Sequence, residues 1–255
     1  MSLVKSIGEK KVNFDFNKDF INIFTDKIKS ADIKFINQTL KDLHPSDVAN
    51  LIENLSKDTR DKLIELEAFD IDPEIFIEIN ESIQIEVLQL LSSESIAKIL
   101  KRLESDNSIA ILENLDSEKK LKVLDKLPPK DRFLLEEGLS YPEDSAARIM
   151  QREFTAVPSN WSVGQTIDYL RESKDLPDEF LEIFVVDNDF KPIGTVPSSR
   201  VLRTSRDSKM NSIMREMPVL ISVNMDKEEV GHTFENYNLV SAGVVNKDNK
   251  LVGMI

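Results

Sequence analysis

Along the first 140 positions the apolar residues recur at helical spacing; beyond them short β-branched runs alternate with helical stretches and Gly or Pro turns. Leu43, Leu55, Ile79, Leu91, Leu103, Leu115, Leu127 and Leu139 are separated by multiples of twelve residues. Only Glu67 interrupts this row, and the neighbouring Leu66 fills in. A second row stands four positions earlier: Leu51, Leu63, Ile75, Val87, Ile99, Ile111, Val123 and Leu135. Positions i and i+4 share one face of a helix. Between the rows fall turn and capping residues such as Pro45-Ser46-Asp47, Ser56-Lys57-Asp58, Asp72-Pro73-Glu74, Ser92-Ser93-Glu94 and Asp116-Ser117-Glu118. Side-chain oxygens there accept from orphan N–H groups, and acids suit the helix dipole. Each unit therefore predicts one short helix and a tight turn. Helices of this length need neighbours, so the pattern predicts an α-solenoid whose Leu rows are core. Ahead of it, residues 1–30 are polar and Lys-rich, with Phe14, Phe16, Phe20, Ile21 and Phe24 predicting an amphipathic helix.

The pattern changes across Leu139–Met150, where Pro142 interrupts helix and restrains Tyr141. After it, Phe154-Thr155-Ala156-Val157 predicts a strand, Val163–Arg171 a helix, Leu181–Val186 a buried strand and Ile193–Val196 its hairpin partner. A second copy follows. Ile213-Met214 echoes Ile149-Met150, Val219–Val223 is a strand, Glu228–Tyr237 a helix, and Ser241–Val245 with Leu251–Ile255 a hairpin.

Composition narrows the chemistry. At 255 residues, 40% apolar and 31% charged, the chain is long enough for two domains with their own cores. It has no cysteine, which excludes disulfides, zinc–thiolate sites and cysteine nucleophiles. A net charge of −13 argues against nucleic-acid binding and permits cation binding. No run of about 18 apolar residues exists to span a membrane. The two histidines, His44 and His232, lack nucleophile or ligand partners by spacing, so an enzyme is not expected.

The tandem unit, with Val-Val-Asp-x-Asp…Gly at 185–194 answered by Val-Val-Asn-x-Asp…Gly at 244–253, resembles a pair of cystathionine-β-synthase (CBS) domains. A helical repeat opening Leu43-His44-Pro45-Ser46-Asp47, then Ser140-Tyr141-Pro142-Glu143-Asp144-Ser145-Ala146-Ala147-Arg148-Ile149-Met150, then that pair resembles the cytosolic half of MgtE-type magnesium transporters. The resemblance implies a multidomain, α plus α/β chain. An all-α right-handed superhelix of short helices spans 1–139, a hinge linker 140–148 and a CBS (β-α-β-β-α) pair 149–255, its copies 149–211 and 212–255. The second copy stops inside its last strand, so a closing helix and a membrane pore domain are expected to follow Ile255 in a longer chain.

The function so implied is regulatory. Cytosolic Mg²⁺ would bind interdomain carboxylates at the inner face of the cell membrane, favouring a compact homodimer and a closed pore. Asp106, Glu74 and Glu228 match acidic family positions and are the candidate metal ligands. Asn107 and Ala110 stand where acids might extend the cluster at Asp106, and Asn238 replaces another. ATP is the second ligand question. CBS clefts bind adenosine through Gly-x-x-Thr/Ser-x-x-Asp, whose Asp holds the ribose. In Gly194-Thr195-Val196-Pro197-Ser198-Ser199-Arg200 an Arg occupies that position, which disfavours ATP. The bases Lys191, Arg200, Arg203, Arg206, Lys209 and Arg215 can meet phosphates, with a solvated linker the simpler reading. The alternative to magnesium sensing is a soluble interaction scaffold whose CBS pair responds to adenine nucleotide.

Overall fold

The computed structural model describes residues 16–66, 72–177, 179–217 and 219–255; Phe14 and Glu67 lie outside them. Ten helices come first among the described residues: α1 (Lys18–Lys29), α2 (Ile33–Lys41), α3 (Pro45–Asn54), α4 (Lys57–Glu65), α5 (Glu74–Glu78), α6 (Glu81–Leu90), α7 (Ser93–Leu100), α8 (Ser105–Glu113), α9 (Ser117–Leu124) and α10 (Pro129–Ser140). The starts of α3, α4, α6, α7, α8, α9 and α10, at 45, 57, 81, 93, 105, 117 and 129, keep the twelve-residue period. Every member of the second apolar row is buried, none more than 5% exposed. The first row falls at or just past helix ends. There Leu55, Ile79, Leu91, Leu115 and Leu127 are buried, whereas Leu43, Leu103 and Leu139 are half-buried.

The described chain divides into two compact units. One holds the residues up to Leu103 together with Leu112–Leu127; the other holds Glu104–Ile111 and Pro128–Ile255. In the first, helices pack on their second neighbours, α3 on α5, α4 on α6 and α7 on α9, as a stack of short helices requires. Arg60 of α4 pairs with Glu86 of α6 at 2.9 Å, and Lys119 of α9 donates to the carbonyls of Leu88 and Gln89 near the end of α6. Phe16, Phe20 and Phe24 stack in series where the lead-in predicted an apolar helix. No described helix is long and apolar enough to cross a membrane.

The second unit continues with α11 (Ala146–Ile149), β1 (Ala156–Pro158), α12 (Val163–Glu172), β2 (Glu182–Val186), β3 (Pro192–Pro197), α13 (Ser198–Arg203), α14 (Met210–Ile213), β4 (Ile221–Ser222), α15 (Lys227–Tyr237), β5 (Gly243–Val245) and β6 (Leu251–Met254). Two three-stranded sheets, β1-β2-β3 and β4-β5-β6, share one topology: a parallel pair joined through a helix, then an antiparallel hairpin. The repeated Asp/Asn motif has a direct cause. Asp187 Oδ1 accepts from the amides of Asp189 and Lys191, and Asn246 Oδ1 from those of Asp248 and Lys250. Both hairpins thus turn on the same side-chain-to-backbone clasp.

The short lead-in helices cross between copies. Ala146, Ala147 and Met150 are core residues around β4 and β5, while Met210, Ile213 and Met214 pack into the core around β2 and β3. Gln151 bridges to Met254, and Arg215 to Thr195. The 139–150 segment is also tied down. Arg148 Nε and Nη2 donate to the carbonyls of Tyr141 and Leu139, Ser145 Oγ donates to Pro142, and Lys227 pairs with Asp144 at 2.7 Å.

Candidate functional site

The twelve-residue period gives each helix a residue just before its start. His44, Asn80, Ser92 and Asp116 fill that place ahead of α3, α6, α7 and α9, and each accepts an amide of its own first turn. Ahead of α8 stands Glu104. Its cap comes from elsewhere in the same compact unit: Glu153 accepts from Ser105 N at 3.2 Å and from Ser105 Oγ at 2.8 Å. Ser105 Oγ in turn accepts from Arg152 N at 2.9 Å, and Gln151 Nε2 donates to the Glu104 carboxylate.

Three carboxylates, on Glu104, Asp106 and Glu153, therefore gather at the start of α8. Burial pushes the Asp106 carboxyl above its ordinary value, and the charge of Glu153 pushes the same way; the amides of Asn107 and of Asp106 itself draw it partly back. Burial likewise raises Glu104, helped by the charges of Asp106, Glu153 and Glu179 and opposed by Gln151. Asp106 Oδ1 is shut off from solvent without a hydrogen-bond partner. Beside this cluster, the largely covered side chain of Arg152 pairs with Glu137 through Nη1, while its Nε and Nη2 have no partner. Gly138 on α10 makes room for α8, since a Cβ there would collide with Ile109.

Of the three ligands expected from sequence, Asp106 lies at this cluster. It sits inside the first turn of α8, not at its cap. Glu228 is exposed in the first turn of α15, its amide donating to Asp226. Glu74 is exposed in the first turn of α5, in the other compact unit. Among the described residues no group of three or more His, Cys, Asp or Glu side chains could hold a metal ion. Mg²⁺ keeps several waters and takes only one or two carboxylates, so what bears on it here is the single orphaned Oδ1 of Asp106. Glu153 was not foreseen. Its signal was the Glu at position 104, where the repeat elsewhere places His44, Ser56, Asn80, Ser92, Asp116 or Pro128. Asn238 has a local role: it ends α15 in the left-handed conformation, φ 49°, which Asn tolerates well.

Residues 43–144 match the MgtE intracellular N domain family, and residues 146–207 match the CBS domain family. The magnesium transporter MgtE of Enterococcus faecalis is 24% identical over 121 residues, 48% of this chain and 27% of that protein. The chain thus spans about a quarter of the length of that curated relative. Among solved structures, the cytosolic domain of the Mg²⁺ channel MgtE in complex with ATP superposes with a TM-score of 0.79 at 23% identity, covering 90% of this chain and 94% of that one. The soluble part of a magnesium transporter gives 0.75 at 20% identity, covering 92% and 93%. An MgtE N-terminal domain followed by a CBS domain, in a chain homologous to the MgtE magnesium transporters and sharing the fold of the MgtE cytosolic domain, is what these residues form.

Proposed function

We propose that this chain is the non-catalytic regulatory region of a magnesium transporter or channel, sensing Mg²⁺ on the cytoplasmic side and acting as a homodimer on a pore domain of the whole protein. The observation that carries the reading is the carboxylate cluster at α8, with Asp106 Oδ1 buried and unpartnered and the Asp106 and Glu104 carboxyls raised by burial. Asp106, with Glu104 beside it, would hold the ion; Glu74, in the other compact unit, and Glu228 are proposed as ligands of further weak sites of their own. A bound Mg²⁺ supplies positive charge where burial and mutual repulsion now penalise the ionised carboxylates.

The energetics suit several weak sites. A site at ten times its dissociation constant contributes about 1.4 kcal/mol. A switch from 1:99 to 99:1 needs about 5.5 kcal/mol of differential binding. Small-angle scattering with and without about 10 mM Mg²⁺ tests the proposal. A smaller radius of gyration with Mg²⁺, together with calorimetric binding, is expected. An unchanged radius and no binding heat would overturn it.

A further inference from the structure

Within the second compact unit, the segment after Met150 is held from two sides. Against the second sheet, Gln151 N donates to the carbonyl of Met254 and Met254 N to that of Gln151, each at 2.8 Å, so Gln151 pairs with the edge strand β6. The strand can come this close because Gly253 has no side chain. A Cβ there would stand 2.7 Å from Met150 Sδ and 2.8 Å from the Gln151 carbonyl oxygen, and Met150 is a core residue that is 1% exposed. Against α8, the same stretch spends its next polar groups on the helix start. Gln151 Nε2 donates to Glu104, Arg152 N to Ser105 Oγ, and Glu153 accepts from the amide and hydroxyl of Ser105. Three consecutive residues thus hold β6 on one side and the first turn of α8 on the other.

We propose that Gln151–Glu153 is a strut that couples occupancy of the carboxylate cluster to the seating of β6, with Gln151 as the positioning residue that touches both Glu104 and Met254. A cation at the cluster draws on Glu104, which Gln151 holds, and on Asp106, next to the Ser105 that Glu153 holds. The far end cannot absorb the displacement, because close-packed interiors have low compressibility and Gly253 already stands at contact. Coupling of this kind is reciprocal: what tightens the first turn of α8 tightens β6 on Gln151, and what loosens β6 loosens the helix start. The ligand half of the inference rests on the magnesium reading; the strut itself belongs to the metal-free chain.

Amide hydrogen exchange, first in metal-free buffer, reads both ends. Gly253→Ala pushes β6 away from Met150 and Gln151 and is expected to speed exchange of the Ser105 amide about fivefold or more. Ser105→Ala, which removes the hydroxyl between Arg152 and Glu153, is expected to do the same to the Met254 amide, and it decides alone if Gly253→Ala does not fold. The amides of Ser95, capped locally on α7, and of Val223, bonded to Val245 inside the sheet, are the controls and stay unchanged. Added Mg²⁺ slows both Ser105 and Met254 in the parent chain, and Gly253→Ala binds Mg²⁺ about fivefold or more weakly. Far-end amides unchanged in the folded variants, or bound Mg²⁺ that slows Ser105 but not Met254, would overturn the strut and leave the magnesium reading in place. The cross-effects in a chain that binds no Mg²⁺ would overturn that reading and keep the strut.

Discussion

Two helix starts one repeat apart, those of α7 and α8, meet the same need by different means. Ser92 closes α7 locally, its hydroxyl accepting from Ser95 N at 3.1 Å. At the corresponding place before α8 stands Glu104, and the Ser105 amide is taken up by Glu153, 48 residues further along. The local solution uses one neutral side chain. The distant one concentrates three carboxylates and leaves Asp106 Oδ1 buried without a partner. A departure from the repeat at one position thus marks where stability has given way to a charged cluster, as functional sites commonly do.

The largest effect that sharpens this contrast belongs to the ladder itself. Leu51→Ala, at a fully buried rung, is expected to cost about 2–5 kcal/mol in denaturant unfolding while leaving Mg²⁺ binding intact in the folded protein. Next, Glu153→Ala removes the distant cap and costs about 1–2 kcal/mol, against about 1 kcal/mol for Ser92→Ala. Equal costs with no change in Mg²⁺ affinity for either variant would erase the distinction between the two starts. Glu104→Ser restores the local cap and removes a raised carboxyl, so it is expected to stabilise the metal-free chain by up to about 1 kcal/mol and to weaken Mg²⁺ binding.

The smallest effect is the pH trend. Because the folded-state values of Asp106 and Glu104 are raised, their contribution to stability is full below the ordinary carboxylate range and is lost as pH rises through the raised values. Asp32, Glu86 and Glu94, lowered by hydrogen bonds from Lys27, Arg60 and Lys126, contribute in the opposite sense. Asp106→Asn removes only the first kind. Its melting temperature relative to the parent chain is expected to climb between about pH 4 and pH 7 in metal-free buffer. A difference independent of pH would contradict the raised value at Asp106.

The architecture was legible because it is periodic. Leu rows at multiples of twelve predicted the helix starts, and alternation with Val-Val-Asp/Asn turns predicted both sheets, since repeated local chemistry makes repeated local structure. Asp106 was singled out through the family resemblance, and the structure places it among the carboxylates at the start of α8. Glu153 was not, because its contact with Ser105 joins positions far apart in the chain, and no spacing rule reports such a pairing. The crossing of the lead-in helices escaped for the same reason: Ile149-Met150 and Ile213-Met214 look alike in sequence, but only packing decides that Met150 fills the core around β4 and β5.

The central claim, that Asp106 holds a sensed cation, is tested most directly by titrating Mg²⁺ at pH 7 into the parent chain and Asp106→Asn while recording binding heat and melting temperature. The parent chain is predicted to bind and to melt higher with Mg²⁺, and the variant to lose that component while melting no lower than the parent without metal. Indistinguishable titrations of the two folded chains would contradict the claim.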